Sequence, residues 1–134
     1  MSIEVRGVCV LLQVFDMPAS VRFYRDVIGF EMVETSEREG DRFDWGWLRL
    51  NGADLMLNTA YEYDSRPPAP DPARQASHRD TCLYFSCPDV DAAFRRLTSA
   101  GVEVSEPKVA PYGMRQLYVE DPDGYMLCFQ WPAE

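Results

Sequence analysis

The strongest constraint on this fold is an internal repeat. Cys9 stands seven residues before Asp16, and Cys82 stands seven before Asp89; Met56 follows Gly52 by four, and Cys128 follows Gly124 by four. An agreement of spacing that runs element by element outweighs any single motif. In the first half, the run 8–15 is β-branched and apolar, which predicts a strand. Asp16-Met17-Pro18 opens a helix with proline in the first turn, where its missing N–H costs nothing. Val21, Tyr24, Val27 and Ile28 share one helical face and Gly29 stops it. Strands follow over 30–35 and 43–50 with a charged loop between, and Asn51-Gly52 turns the chain into a last strand at 53–58. The second half repeats the plan: a strand over 81–87, a helix capped by Asp89 with Val90, Ala93, Phe94 and Leu97 on one face, then strands over 102–104, 114–120 and 125–130. Each half therefore reads β-α-β-β-β, an α+β class.

The domain organisation expected is one domain of two modules, about 5–60 and about 81–133. The stretch 61–80 holds four prolines and the sole histidine, His78. It reads as a linker, with His78 a solvated loop residue. The repeat also places Cys9, Met56, Cys82 and Cys128 at equivalent points of the two modules. A slip of one residue would turn any of them to the other face of its sheet.

A formal net charge of −9 argues against nucleic acid as a partner, because phosphates need a basic surface. It equally disfavours an anionic membrane surface. The apolar run 8–12 is too short to span a bilayer, and no basic segment or small-residue cleavage site marks a signal peptide. A cytoplasmic location is the expectation. The four cysteines, with no CxxC spacing, are then expected to be free thiols. Cys82 and Cys87, five residues apart in an extended run, should point to opposite faces.

Two stretches, LLQVFDMPASVRFYRDVIGFEMV and YGMRQLYVEDPDGYMLCFQ, resemble the vicinal-oxygen-chelate superfamily, the glyoxalase, bleomycin-resistance and extradiol-dioxygenase group. The resemblance implies two βαβββ modules whose curved, mostly antiparallel sheets form a cleft, commonly completed in a homodimer. It is specific for fold and weak for activity, since many chemistries share the scaffold. In metal-dependent members the first strand of each module supplies a histidine or glutamine, and the last strand a glutamate or histidine, to one divalent ion. Carried onto this chain, those positions are Cys9, Cys82, Met56 and Cys128. None is His, Gln, Asp or Glu, so the hard-metal site is expected to be missing.

What the four sulfurs do has three readings. Cysteine and methionine are at ease in apolar surroundings and fill volume there. Thiolates and a thioether also make a soft set that favours Cu(I) or zinc. A reactive cysteine would need a base or cation to lower its pKa, and no candidate is visible. Gln13 shares a strand face with Cys9, and Gln130 with Cys128; Asp54 and Asn58 flank Met56, and Tyr84 and Ser86 follow Cys82. These polar groups could hydrogen-bond a ligand, and Gln13 or Asp54 could chelate an ion. A strand residue two places on lies roughly 7 Å away, so these polar groups do not rebuild a four-oxygen cage.

Trp45, Trp47, Tyr61, Tyr63, Tyr84, Tyr112, Tyr118 and Trp131 are many aromatics for a small acidic chain. They fit sheet packing or an aromatic-walled pocket with a few polar anchors. Tyr112-Gly113 reads as a loop at its mouth, and Arg115 as a solvated residue or a partner for an anionic ligand. The expected ligand-binding set is Cys9, Gln13, Trp47, Met56, Cys82, Tyr84, Tyr118, Cys128 and Gln130. The function expected is metal-independent binding of a small organic molecule in a dimer-interface cleft, with no cofactor. The alternatives are a metal-dependent lyase, isomerase or dioxygenase holding a divalent ion, and a Cu(I) or zinc thiolate site.

Overall fold

A computed structural model describes residues 1–134, Tyr63 by its backbone alone. The order of elements is β1 (Val10–Val14), α1 (Met17–Val21) running on as a π-helical segment (Arg22–Ile28), β2 (Glu31–Thr35), β3 (Trp45–Leu50) and β4 (Ala53–Thr59). A 3-10 turn (Tyr63–Ser65) and α2 (Pro72–His78) come next. The second module follows as β5 (Cys82–Ser86), α3 (Val90–Ser99), β6 (Lys108–Val109), β7 (Met114–Glu120) and β8 (Met126–Pro132). The chain divides into two compact units, Met1–Arg66 and Pro67–Glu134.

Each unit contains a four-stranded mixed sheet, β1-β4-β3-β2 in the first and β5-β8-β7-β6 in the second. The first strand pairs parallel with the last, Leu11 opposite Met56 and Tyr84 opposite Cys128. The other pairings are antiparallel. Both hairpins thus return the last strand to lie beside the first, as the twofold β-α-β-β-β pattern requires.

The helices start where the sequence places their caps. Asp16 Oδ1 accepts from the Ala19 N–H at 3.3 Å, and Asp89 Oδ1 from the Ala92 N–H at 2.9 Å. Each carboxylate satisfies a backbone donor that the first turn leaves open. Gly29, at φ 112°, ends the π-helical segment with its N–H donating to the Tyr24 carbonyl, a left-handed stop that glycine adopts without strain. In the first module Met17, Val21, Tyr24 and Ile28 are buried, as are Leu12, Val14, Leu48, Leu55 and Leu57 of its sheet. In the second, α3 packs on β7 and β8, and Val90, Leu97, Leu117, Val119, Leu127 and Phe129 are buried.

Three expectations change. The run 102–104 is not a strand: Val104 makes a single bridge to Val119, and the edge strand is the two-residue β6. The proline-rich stretch is more ordered than a linker. Asp71 caps α2 by accepting from Ala73 N–H at 3.0 Å, and Pro72 sits in the first turn, the position proline tolerates.

That helix also relocates His78. Its ring stacks on Tyr125 at 4.0 Å between centroids with 7° between planes, and Nδ1 lies 2.7 Å from the Asp123 carbonyl oxygen. The Gln75 side-chain amide donates to the Pro122 carbonyl at 3.2 Å. His78 is thus half-buried and structural rather than solvated. Among the described residues no helix is long and apolar enough to cross a membrane.

Candidate functional site

Strand alternation separates each sheet into a core face and a second face, and the second face collects the residues singled out from the sequence. In module one, the row Leu11–Met56–Trp47 lies across β1, β4 and β3, and the next row is Gln13–Asn58–Trp45. In module two the corresponding rows are Tyr84–Cys128–Tyr118 and Ser86–Gln130–Gln116. Cys9 precedes β1, and Cys82 is paired with Met126. Each is therefore staggered by two residues from Met56 or Cys128 and does not lie directly opposite it.

On the face of module one, Trp47 donates its indole N–H to Asp54 Oδ1 at 3.0 Å, and Arg49 Nε donates to the same oxygen at 2.9 Å. The Arg49 guanidinium lies 5.0 Å from the Trp47 ring centroid, so carboxylate, indole and guanidinium lock one another. The indole hydrogen bond, and after it Arg49, hold the Asp54 carboxyl below its ordinary range. Trp45 donates its indole N–H to Met56 Sδ at 3.4 Å, and Asn58 donates to Gln13 Oε1 at 3.3 Å. Cys9 keeps its proton: burial, then the Asp54 charge, pushes its thiol up.

On the face of module two, Gln116 is the buried hub, 6% exposed. Its Oε1 accepts from Tyr112 at 3.0 Å and from Tyr118 at 3.3 Å, while its Nε2 donates to Gln130 Oε1 at 2.8 Å. The Tyr118 hydroxyl is pushed well up, first by its hydrogen bond with Tyr84, then by burial and by Cys128. Cys128 is fully buried. Burial raises its thiol, against the opposing hydrogen bond from Tyr118, and burial raises Cys82 also. All four cysteines are free thiols.

Three expectations meet the structure here. Arg115 pairs with Asp91 at 2.7 Å, so its charge is already answered within the module. Tyr63 lies outside the residues whose side chains are described. For the sulfur quartet, Cys9 and Met56 belong to one module and Cys82 and Cys128 to the other. The Met56 thioether is engaged with Trp45, and the three thiols favour their neutral form. Among the described residues no group of three or more His, Cys, Asp or Glu is placed to hold a metal ion. A hard divalent ion does not fit this donor set, since oxygen or imidazole ligands are what it takes. A raised thiol with no cation or base against it is equally a poor nucleophile.

The glutamine hub escaped sequence reasoning. Gln116 is an isolated polar residue within its strand, and such a residue carries no sign in the sequence that it will be buried. Nor was a hollow of about 600 Å³ at the end of the first sheet anticipated, lined by residues of 15–18, 37–44, 59–61, Arg22 and Arg66. None of the nine expected ligand-binding residues lines it.

Comparison with known proteins follows the same division of fold from chemistry. The family model described as Glyoxalase/Bleomycin resistance protein/Dioxygenase superfamily matches residues 8–129. The uncharacterized protein YaeR of Escherichia coli (strain K12) is 32% identical over 114 residues, covering 84% of each chain. Glyoxylase I 4 of Arabidopsis thaliana is 28% identical over 110 residues, which are 81% of this chain and 60% of that one. Among solved structures, TnmS3, an antibiotic binding protein from Streptomyces sp. CB03234, superposes with a TM-score of 0.69 at 28% identity, covering 98% of this chain and all of that one.

Proposed function

Because the chain belongs to the glyoxalase, bleomycin resistance protein and dioxygenase superfamily, we propose that it uses the shared scaffold to bind a small organic molecule without a metal, in a cleft completed by a second copy of the chain. One observation carries the reading: the positions that supply metal ligands in the family's metal-dependent members hold a thioether already bonded to Trp45 and thiols kept neutral by burial. What the two sheet faces offer instead is recognition chemistry. Trp47, Tyr84 and Tyr118 provide aromatic surface, Tyr84 being 55% exposed. The amides of Gln13 and Gln130 provide fixed polar anchors, the mixture typical of small-molecule sites. The printed description of TnmS3 as antibiotic binding supports the same direction.

The test is titration calorimetry against a panel of planar and polycyclic natural products, with and without EDTA. Binding that chelator leaves unchanged is the expected result, and loss of all binding in EDTA would overturn the reading. The second reading, a metal-dependent lyase, isomerase or dioxygenase, rests on the likeness to Glyoxylase I 4. Elemental analysis of protein purified without added metal separates the two: one equivalent of iron, manganese or nickel per chain favours the enzyme. Copper, or zinc lost in Cys128→Ala, favours a thiolate site.

A further inference from the structure

We propose that the ligand met by the second sheet face of module two is a flat aromatic molecule bearing a carbonyl oxygen, selected by the outward amide N–H groups of Gln130, a reading that rests on the binding role proposed above and adds the polarity of the ligand. Directly paired residues of neighbouring strands present their side chains on one face. One row of this face runs Ser86, Gln130, Gln116, Lys108 across β5, β8, β7 and β6. Hydrogen bonding within the row fixes which end of the Gln130 amide is spent. The carbonyl oxygen of buried Gln116 takes the hydroxyls of both Tyr112 and Tyr118. Its nitrogen is therefore the end turned toward Gln130, and it donates to Gln130 Oε1 at 2.8 Å. Gln130 is half-buried, and its N–H groups have no partner among the described residues. An acceptor oxygen on a ligand would satisfy them.

The other polar groups of the face either are engaged or point to the same polarity. In the adjoining row, Tyr84–Cys128–Tyr118, the two phenols are hydrogen-bonded to each other, Tyr84 also to Cys82 and Tyr118 also to Cys128. Glu120 is paired with Arg79 at 2.6 Å. Met114, Met126 and Pro132 bring no charge. The Ser86 hydroxyl and the Lys108 ammonium, at the two ends of the Gln130 row, have no partner among the described residues, and both can donate. Glu106, two residues before Lys108, precedes β6 and its pairing. No unused group that strand pairing places on this face is a carboxylate, so hydrogen-bond donors are what a ligand meets there. Tyr84, 55% exposed in the next row, supplies ring surface for the aromatic body.

The experiment is an amide-correlation NMR titration of the isotope-labelled chain with 1-indanone and, separately, with indole, each repeated in EDTA. Both probes are flat bicycles of similar size, one carrying a carbonyl acceptor and the other an N–H donor. Both are neutral, so Lys108 and Glu106 do not bias the comparison. The expected result is saturable shifts at 82–86, at 116–118 and at the Gln130 side-chain amide, with 1-indanone bound about tenfold more tightly than indole. Gln130→Glu keeps an oxygen for the Gln116 N–H and turns a carboxylate oxygen outward in place of the nitrogen. It should reverse the order of the two probes, and its spectrum shows directly whether the fold is kept. Indole bound as tightly as 1-indanone, or more tightly, overturns the inference and leaves metal-free binding standing. A preference for 1-indanone that survives Gln130→Glu, shifts that fall away from this face, and an absence of saturable shifts with either probe overturn it too. Shifts lost only in EDTA strike instead at the metal-free binding on which it rests.

Discussion

Gln116 donates its side-chain amide to Gln130 Oε1 at 2.8 Å across β7 and β8. The bond commits the carbonyl end of Gln130 to the hub and leaves its amide N–H groups for something else. It is the feature that turns a sheet surface into an oriented one.

Gln116→Leu should therefore do two things. It removes a hub bonded to Tyr112, Tyr118 and Gln130, and should lower stability by about 1–3 kcal/mol in urea unfolding, since partners of a buried polar group lose satisfied bonds. It also frees Gln130 to rotate, so affinity for any ligand found by calorimetry should fall by more than for Gln13→Leu. Equal losses for the two variants would remove Gln116 from its orienting role.

Gly124 and Gly101 form a controlled pair. Both have positive φ, 90° and 79°, but a Cβ on Gly124 would run into the backbone carbonyl of Gln75, whereas one on Gly101 meets nothing within 4 Å. Gly101→Ala carries only the left-handed strain of about 1–2 kcal/mol. Gly124→Ala should cost clearly more, because α2 must move and break the stack of His78 on Tyr125. Thermal unfolding of the two variants, with His78→Ala as a third, checks the order.

Acid should loosen module one through Asp54. Its carboxyl is held below the ordinary range, so the stabilisation it contributes is fully present above the ordinary carboxylate pKa and is lost as pH falls through the lowered folded value. Indole fluorescence, followed through a Trp45→Phe background that leaves the Trp47 signal clearer, should change in that acid window. Asp54→Asn should abolish the transition, and a transition that persists would place it elsewhere.

Alkali should act on module two with the opposite sign. Burial raises the Cys128 thiol, and the hydrogen bond with Tyr84 raises the Tyr118 phenol. Groups with raised folded pKa values contribute stability that is present below their unfolded values and lost as pH rises through the folded ones. The urea midpoint should decline from about pH 9 upward. At pH 8, Cys128 should react with iodoacetamide far more slowly than it does in denaturant; a rate equal to that of the unfolded chain would contradict its buried, neutral state.

Asp16 and Asp89, Gly29 and Asn51-Gly52 were legible because caps and turns act through local backbone geometry, and local rules can be read from neighbours in the chain. The same holds for the repeat, and through it for the equivalence of Met56 with Cys128. Partner choice was not legible. That His78 stacks on Tyr125, and that Gln116 is buried while Tyr84 is exposed, depend on groups distant in sequence. Strand alternation assigns a residue to a face. Only the packed sheet decides which neighbour it meets there and how much water remains, and those two quantities set every pKa and every free donor on which the function depends.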